Sequence, residues 1–159
     1  MMVQSVWSSA IASRTHTTAS PWIASGAVAY EDWYVIDNSA ALDAINDAAI
    51  SGPRKNPHDQ LASLAASGAA GLYRLKTGQL DSMKSAQHAV WFSKPAISYD
   101  AFLIQFRPLI DSPQTTLWLR QMVLSAAPEF CLRSATKLQL PQNLQAIHCP
   151  IEPIFSHSL

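Results

Sequence analysis

Residues 88–106 read HAVWFSKPAISYDAFLIQF, and their pattern changes period part-way along. From about Gln87 to Ser93 the run, with alternating apolar residues around Trp91, reads as a strand. Lys94-Pro95 then fixes a linker, because proline sets its own φ and keeps the preceding residue out of the helical region. Ser98 suits a helix start, since its short side-chain oxygen accepts from an N–H group that the first turn leaves free. Beyond it Phe102, Phe106 and Leu109 (or Ile110) recur at spacings of four and three, the stripe of a helix laid on a core. Pro108 lacks the N–H that a helix interior needs, so the predicted helix ends near Phe106–Arg107.

The flanking sequence extends the pattern. Residues 115–125, TTLWLRQMVLS, form the most strand-like run of the chain. Ala126-Ala127-Pro128 makes a turn, and 129–134, EFCLRS, reads as the returning strand of a hairpin. Upstream, VAYEDWYVID at 28–37 reads as a strand, and Asn38 or Ser39 caps a helix carrying Leu42, Ile45 and Ala49 on one face. Ser51-Gly52-Pro53 ends that helix. A short helix with Leu61, Leu64 and Ala65 follows, and then a strand, AGLYRLKTG, that closes at Gly78. Trp33 precedes Ser39 by six residues and Trp91 precedes Ser98 by seven, and each helix leads to another strand. Strand–helix–strand twice over predicts an α+β fold, a ferredoxin-like βαββαβ sandwich with an antiparallel sheet and its helices on one face. No glycine-rich phosphate loop supports a doubly wound parallel sheet. The expected division is an N-terminal extension over 1–27 with room for one extra strand, the α+β domain over 28–135, and a proline-containing tail over 136–159 that packs on it as irregular chain or an edge strand.

Composition narrows the function. Of 159 residues 48% are apolar and 14% charged, enough to bury a core without disulfides or a metal. Eleven basic residues balance eleven acidic ones with no run of like charge, which argues against nucleic acid and against an anionic membrane surface. Zero net charge and fourteen aromatic side chains (five Trp, four Tyr, five Phe) favour self-association, as a homodimer or a higher homo-oligomer. Neither a signal-peptide core nor a membrane-length apolar stretch is present, so a cytoplasmic location is expected. Cys131 and Cys149 do not have metal-ligand spacing and read as reduced, partly buried thiols. The five histidines are scattered, so neither a metal nor a cofactor is expected.

The segment WFSKPAISYDAFLIQFRPL resembles the strand-to-helix segment of the EthD-like families of the dimeric α+β barrel superfamily. Phe92, Lys94, Pro95, Ser98, Phe102, Pro108 and Leu109 carry the resemblance. The family pattern has a His shortly before its Pro-Leu, where this chain has Phe106-Arg107. The resemblance implies a homodimer in which two four-stranded sheets pair into a barrel, each covered by helices on one face and lining the interior with the other. Alternation then places Leu117 and Leu119 on the helix side of their strand, and Trp118, Arg120 and Met122 on the other. Candidate polar groups are Asp32 and Arg120, a pair across one cavity or a structural ion pair, with Tyr34 as a phenolic donor and His88 as a general base. Trp91, Trp118, Met122 and Tyr34 are candidate contacts for an apolar small molecule, or packing. The expected function is a non-catalytic small-molecule-binding or assembly module. The alternative is a cofactor-independent enzyme, EthD-like or monooxygenase-like, acting on an apolar molecule inside the barrel.

Overall fold

A computed structural model describes residues 13–17, 28–65, 70–123 and 128–156. Its strands are β1 (Ser13–Thr17), β2 (Ala29–Trp33), β3 (Gly71–Thr77), β4 (His88–Phe92), β5 (Thr115–Val123), β6 (Phe130–Ser134), β7 (Ala146–Pro150) and β8 (Glu152–Ser156). Its α-helices are α1 (Ala41–Ile50), α2 (Lys55–Leu64) and α3 (Tyr99–Ile110). The strands form two sheets, ordered β2-β1-β8 and β3-β5-β6-β4-β7. The helices α1 and α2 belong to one compact unit, and α3 with the two sheets, apart from Trp33 at the end of β2, belongs to another.

The larger sheet is built around the segment 88–106. β4 passes through the Lys94-Pro95 linker into α3 and on to β5, while β6 lies between β4 and β5 and is antiparallel to both. β4 and β5 are therefore parallel to each other with a strand between them. β7 pairs with the free edge of β4 and β3 with that of β5, both antiparallel. The result is an α+β fold with a five-stranded antiparallel sheet, compatible with a ferredoxin-like arrangement.

The repeat proposed from Trp33 and Trp91 needs correction, because their strands, β2 and β4, lie in different sheets. Burial explains the difference. β4 is buried at every position from Ala89 to Phe92, as an interior strand covered on both faces must be. β2 alternates half-buried Ala29, Glu31 and Trp33 with exposed Tyr30 and Asp32. Two consecutive acids suit a strand wet on one side and oppose a central position.

The start of α3 is as the sequence predicts: Ser98 Oγ accepts from the Ala101 N–H at 3.2 Å. Its end is not. The helix continues through Pro108 to Ile110, beyond the predicted stop at Phe106–Arg107. Phe102, Phe106 and Ile110, four apart, are all buried, and the Asp111 N–H closes the last turn on Arg107 O at 2.9 Å. Burying an isoleucine contributes about 1.5–3 kcal/mol, comparable to the roughly 3 kcal/mol that an interior proline costs. The core beneath α3 is aromatic. Phe92 stacks on Phe106 with centroids 5.4 Å apart and on Phe130 at 5.5 Å, and Val90, Leu117 and Leu132 fill around them.

The linker is tied to the hairpin opposite. The Lys94 ammonium donates to Ile97 O at 2.7 Å and lies 5.0 Å from the Tyr99 ring centroid. The Lys94 N–H donates to Glu129 Oε2 at 3.2 Å, the Tyr99 hydroxyl donates to Glu129 Oε1, and the Glu129 N–H donates to Ser93 Oγ at 3.2 Å. Lys94, Pro95 and Ser98 thus serve the strand-to-helix turn.

Gly78 follows β3 with φ of 95°, and a Cβ there would stand 2.1 Å from the Thr115 carbonyl oxygen. Two substitutions should rank accordingly in urea unfolding. Ser98→Ala loses one cap, about 1 kcal/mol. Gly78→Ala combines a left-handed backbone penalty of about 1–2 kcal/mol with a backbone clash, and should cost clearly more than the cap. Equal midpoints for the two variants would contradict this account.

Candidate functional site

Strand pairing brings one set of side chains together on the sheet face opposite α3. Residues directly paired across strands share a face. One row runs Leu75, Trp118, Cys131, Trp91, Ile147, and the next runs Thr116, Arg133, Ala89, Cys149. Tyr73 pairs with Arg120 beyond them. Leu117, Leu132, Val90 and Phe92 alternate with these residues and belong to the core under α3.

The centre of this second face is closed within a single chain, while Ile147 at its β7 edge is exposed. Trp91 is 2% exposed, Trp118 7%, Arg133 1% and Cys131 fully covered. The edge of the Tyr73 ring meets Trp91 at a centroid distance of 5.6 Å and an interplanar angle of 71°, a favoured aromatic geometry. Trp118 Nε1 donates to Thr116 Oγ1 at 2.9 Å. Ala89, the smallest side chain in its row, lies directly beside the long Arg133.

Two charges of opposite sign act on the Cys131 thiol. Burial pushes its pKa well above the ordinary 9.0, the Arg133 guanidinium opposes that shift, and the Glu31 carboxylate adds to it. Cys149 is pushed up to about 12, first by burial and then by Glu31. Tyr73 is also pushed up to about 12, by burial first, with Cys131 and Glu31 raising it and Arg120 lowering it. Glu31 has one carboxylate oxygen shielded from solvent. At neutral pH both thiols and the phenol are therefore protonated. Neither cysteine is a thiolate nucleophile, and Tyr73 holds its proton too tightly to donate it readily. The cysteines are free and flank β4 on β6 and β7. Two strand spacings, roughly 10 Å, put them beyond disulfide reach.

The residues singled out in the sequence are only partly assembled here. Trp91 and Trp118 do lie in one row, on either side of Cys131. Arg120 is on the same face, half-buried. Met122 is further along β5 and exposed. His88 alternates with Ala89 and Trp91, so it belongs to the other face, at the end of β4 opposite Ser134 and Pro150. Asp32 and Tyr34 are exposed, and it is their neighbour Glu31 that acts on the thiols. Glu31, Tyr73, Cys131, Arg133 and Cys149 were not singled out as site residues. Arg133 carried a legible signal: a charge at the centre of an apolar strand, FCLRS, must be buried with compensation or turned to water.

Among the described residues no group of three or more His, Cys, Asp or Glu side chains is arranged to hold a metal ion. No described helix is long and apolar enough to cross a membrane. Compared with known proteins, the chain matches no family model, no curated protein and no solved structure.

The raised pKa values have a stability consequence. Between the ordinary 9.0 of a thiol and about 12, the folded chain keeps a Cys149 proton that the unfolded chain releases. Tyr73 behaves likewise between 10.0 and about 12. Their contribution is fully present below pH 9 and is lost as pH rises through that window. Urea midpoints should fall from about pH 8 to about pH 11, and more gently in the Cys131→Ala/Cys149→Ala variant. A wild-type midpoint that is flat over this range would be inconsistent with buried thiols.

Proposed function

We propose that this chain is a non-catalytic binding module of ferredoxin-like α+β architecture, in which the sheet face opposite α3 is structural interior and not a reaction chamber. One observation carries the reading: Trp91, Trp118, Cys131 and Arg133 are closed off within one chain, and burial keeps the Cys131 thiol and the adjoining Tyr73 phenol protonated. An enzyme acting on an apolar molecule inside a barrel needs an open interior and a group ready to take or give a proton. The sheet order β7-β4-β6-β5 supports the ferredoxin-like part of the reading, since the EthD-like segment falls on its β4–α3 unit. The reading differs from a dimeric barrel in one respect. A barrel shared by two chains leaves this face open for the partner's sheet, whereas here the same chain covers it, so the fold needs no second copy to complete its interior.

Thiol labelling of dilute native protein tests the proposal. At about pH 8, where an exposed thiol is substantially ionised, Cys131 and Cys149 should stay unmodified by a thiol-reactive dye until urea unfolds the chain. Sedimentation at the same concentration should give a monomer. Rapid labelling of Cys131 in the native state would overturn the closed interior. A tight dimer would restore the shared barrel.

A further inference from the structure

Between β6 and β7 the chain crosses residues 135–145 without regular secondary structure. This crossing and the first residues of β7 border a cavity of about 430 Å³ that is open to solvent. The volume lies within the range of small-molecule sites. Its apolar lining is Leu138, Leu140, Leu144 and Ala146, all half-buried and packed against the aromatic core under α3. The lining is thus anchored to the buried core. The arc is also held internally, by the Leu144 N–H on Pro141 O at 3.0 Å. Lys137 and His148 are exposed and are the only ionisable side chains in the lining; no Asp or Glu contributes. Gln139 and Gln142 add amide donors to the rim.

We propose that this cavity binds a small amphiphilic carboxylate, with its hydrocarbon body on Leu138, Leu140 and Leu144 and its anionic head at the Lys137 and His148 rim. Both parts follow from charge and hydrophobic complementarity. An apolar floor fixed to the core favours a ligand with buried hydrocarbon. A rim with an ammonium, an imidazole and two carboxamides, and with no acid, stabilises a negative head and repels a positive one. The inference rests on the binding-module reading and supplies the ligand class that the closed face does not.

The probe is octanoate, with octanol and octylammonium as controls of equal chain length, titrated into the full chain and followed by amide chemical shifts. Octanoate should shift the amides of residues 137–148 and bind at least tenfold more tightly than octylammonium. The Lys137→Glu/His148→Glu variant changes two exposed side chains, so its fold should persist by circular dichroism. It should lose octanoate affinity tenfold or more and gain affinity for octylammonium. Equal binding of all three probes, shifts located elsewhere, or an unchanged preference in the double variant would overturn the proposal. The thiol experiment separates the two claims. An octanoate failure with unreactive thiols removes only the ligand, whereas reactive thiols remove the closed interior whatever octanoate does.

Discussion

Phe92 is the last residue of β4, and its ring stacks on Phe106 from α3 and on Phe130 from β6. A strand, the helix that follows it and the far arm of a later hairpin meet at that one side chain. Each such aromatic pair contributes about 0.5–1.5 kcal/mol beyond its buried area. The pairs also restrict geometry, because stacked rings tolerate little sliding. Once Phe92 sits between its partners, the register of β6 on β4 follows, and β5 and β7 add to the two outer edges. Phe102 joins the same cluster, with its ring centroid 4.3 Å from that of Phe106. The Lys94–Glu129–Tyr99 contacts then hold the linker at the mouth of the cluster.

The same strands use a different chemistry on their other face. Under α3 the sheet buries hydrocarbon and phenyl rings; opposite it, the sheet buries a guanidinium and two thiols beside Trp91 and Trp118, with the Tyr73 phenol half-buried. An arginine keeps its charge when buried, so the surroundings must supply the compensation that water no longer gives. Glu31 lies on a strand of the other sheet, and its carboxylate raises the pKa of Cys131, Cys149 and Tyr73. Buried charge of this kind often adds less to stability than hydrocarbon of equal volume, and on β2 it is Glu31 that is half-buried. The exposed neighbours Tyr30 and Asp32 are the alternation's other half.

How much of this was legible depended on whether the signal was local. The cap at Ser98, the four-residue spacing of Phe102 and Phe106, and the two faces of β5 follow from short-range pattern and are present in the structure. Pro108 misled because proline's local cost was weighed without the burial of Ile110. The partition of β2 and β4 between two sheets was harder to read, since both strands carry a tryptophan and lead to a helix. Only the paired acids Glu31 and Asp32 distinguish the strand that is wet on one side. On β2 alternation separates Glu31 from Asp32 without saying which of them points inward, and in the structure it is Glu31 that is half-buried. Cys131 and Arg133 share a face of β6 by local alternation, but Cys149 joins them only through the registers of β4 with β6 and β7, which no local pattern contains.

The smaller sheet joins the first described strand to the last, since β1 pairs with β8. The hydroxyl of Thr17 adds a 2.7 Å bond to the Pro150 carbonyl across a separation of 133 residues. Closing a loop of that length costs entropy that grows only with the logarithm of its size, so the finished fold bears it easily. The order of events does not escape it. β1 has no β8 until residues 152–156 have been made, and the outer edge of β4 waits likewise for β7. During synthesis the hairpin of β5 and β6 with α3 can assemble early, while strand edges that are later paired stay open, the condition under which chains associate wrongly. Among the described strands, the pairings that β7 and β8 make come last and leave the growing chain unguarded longest.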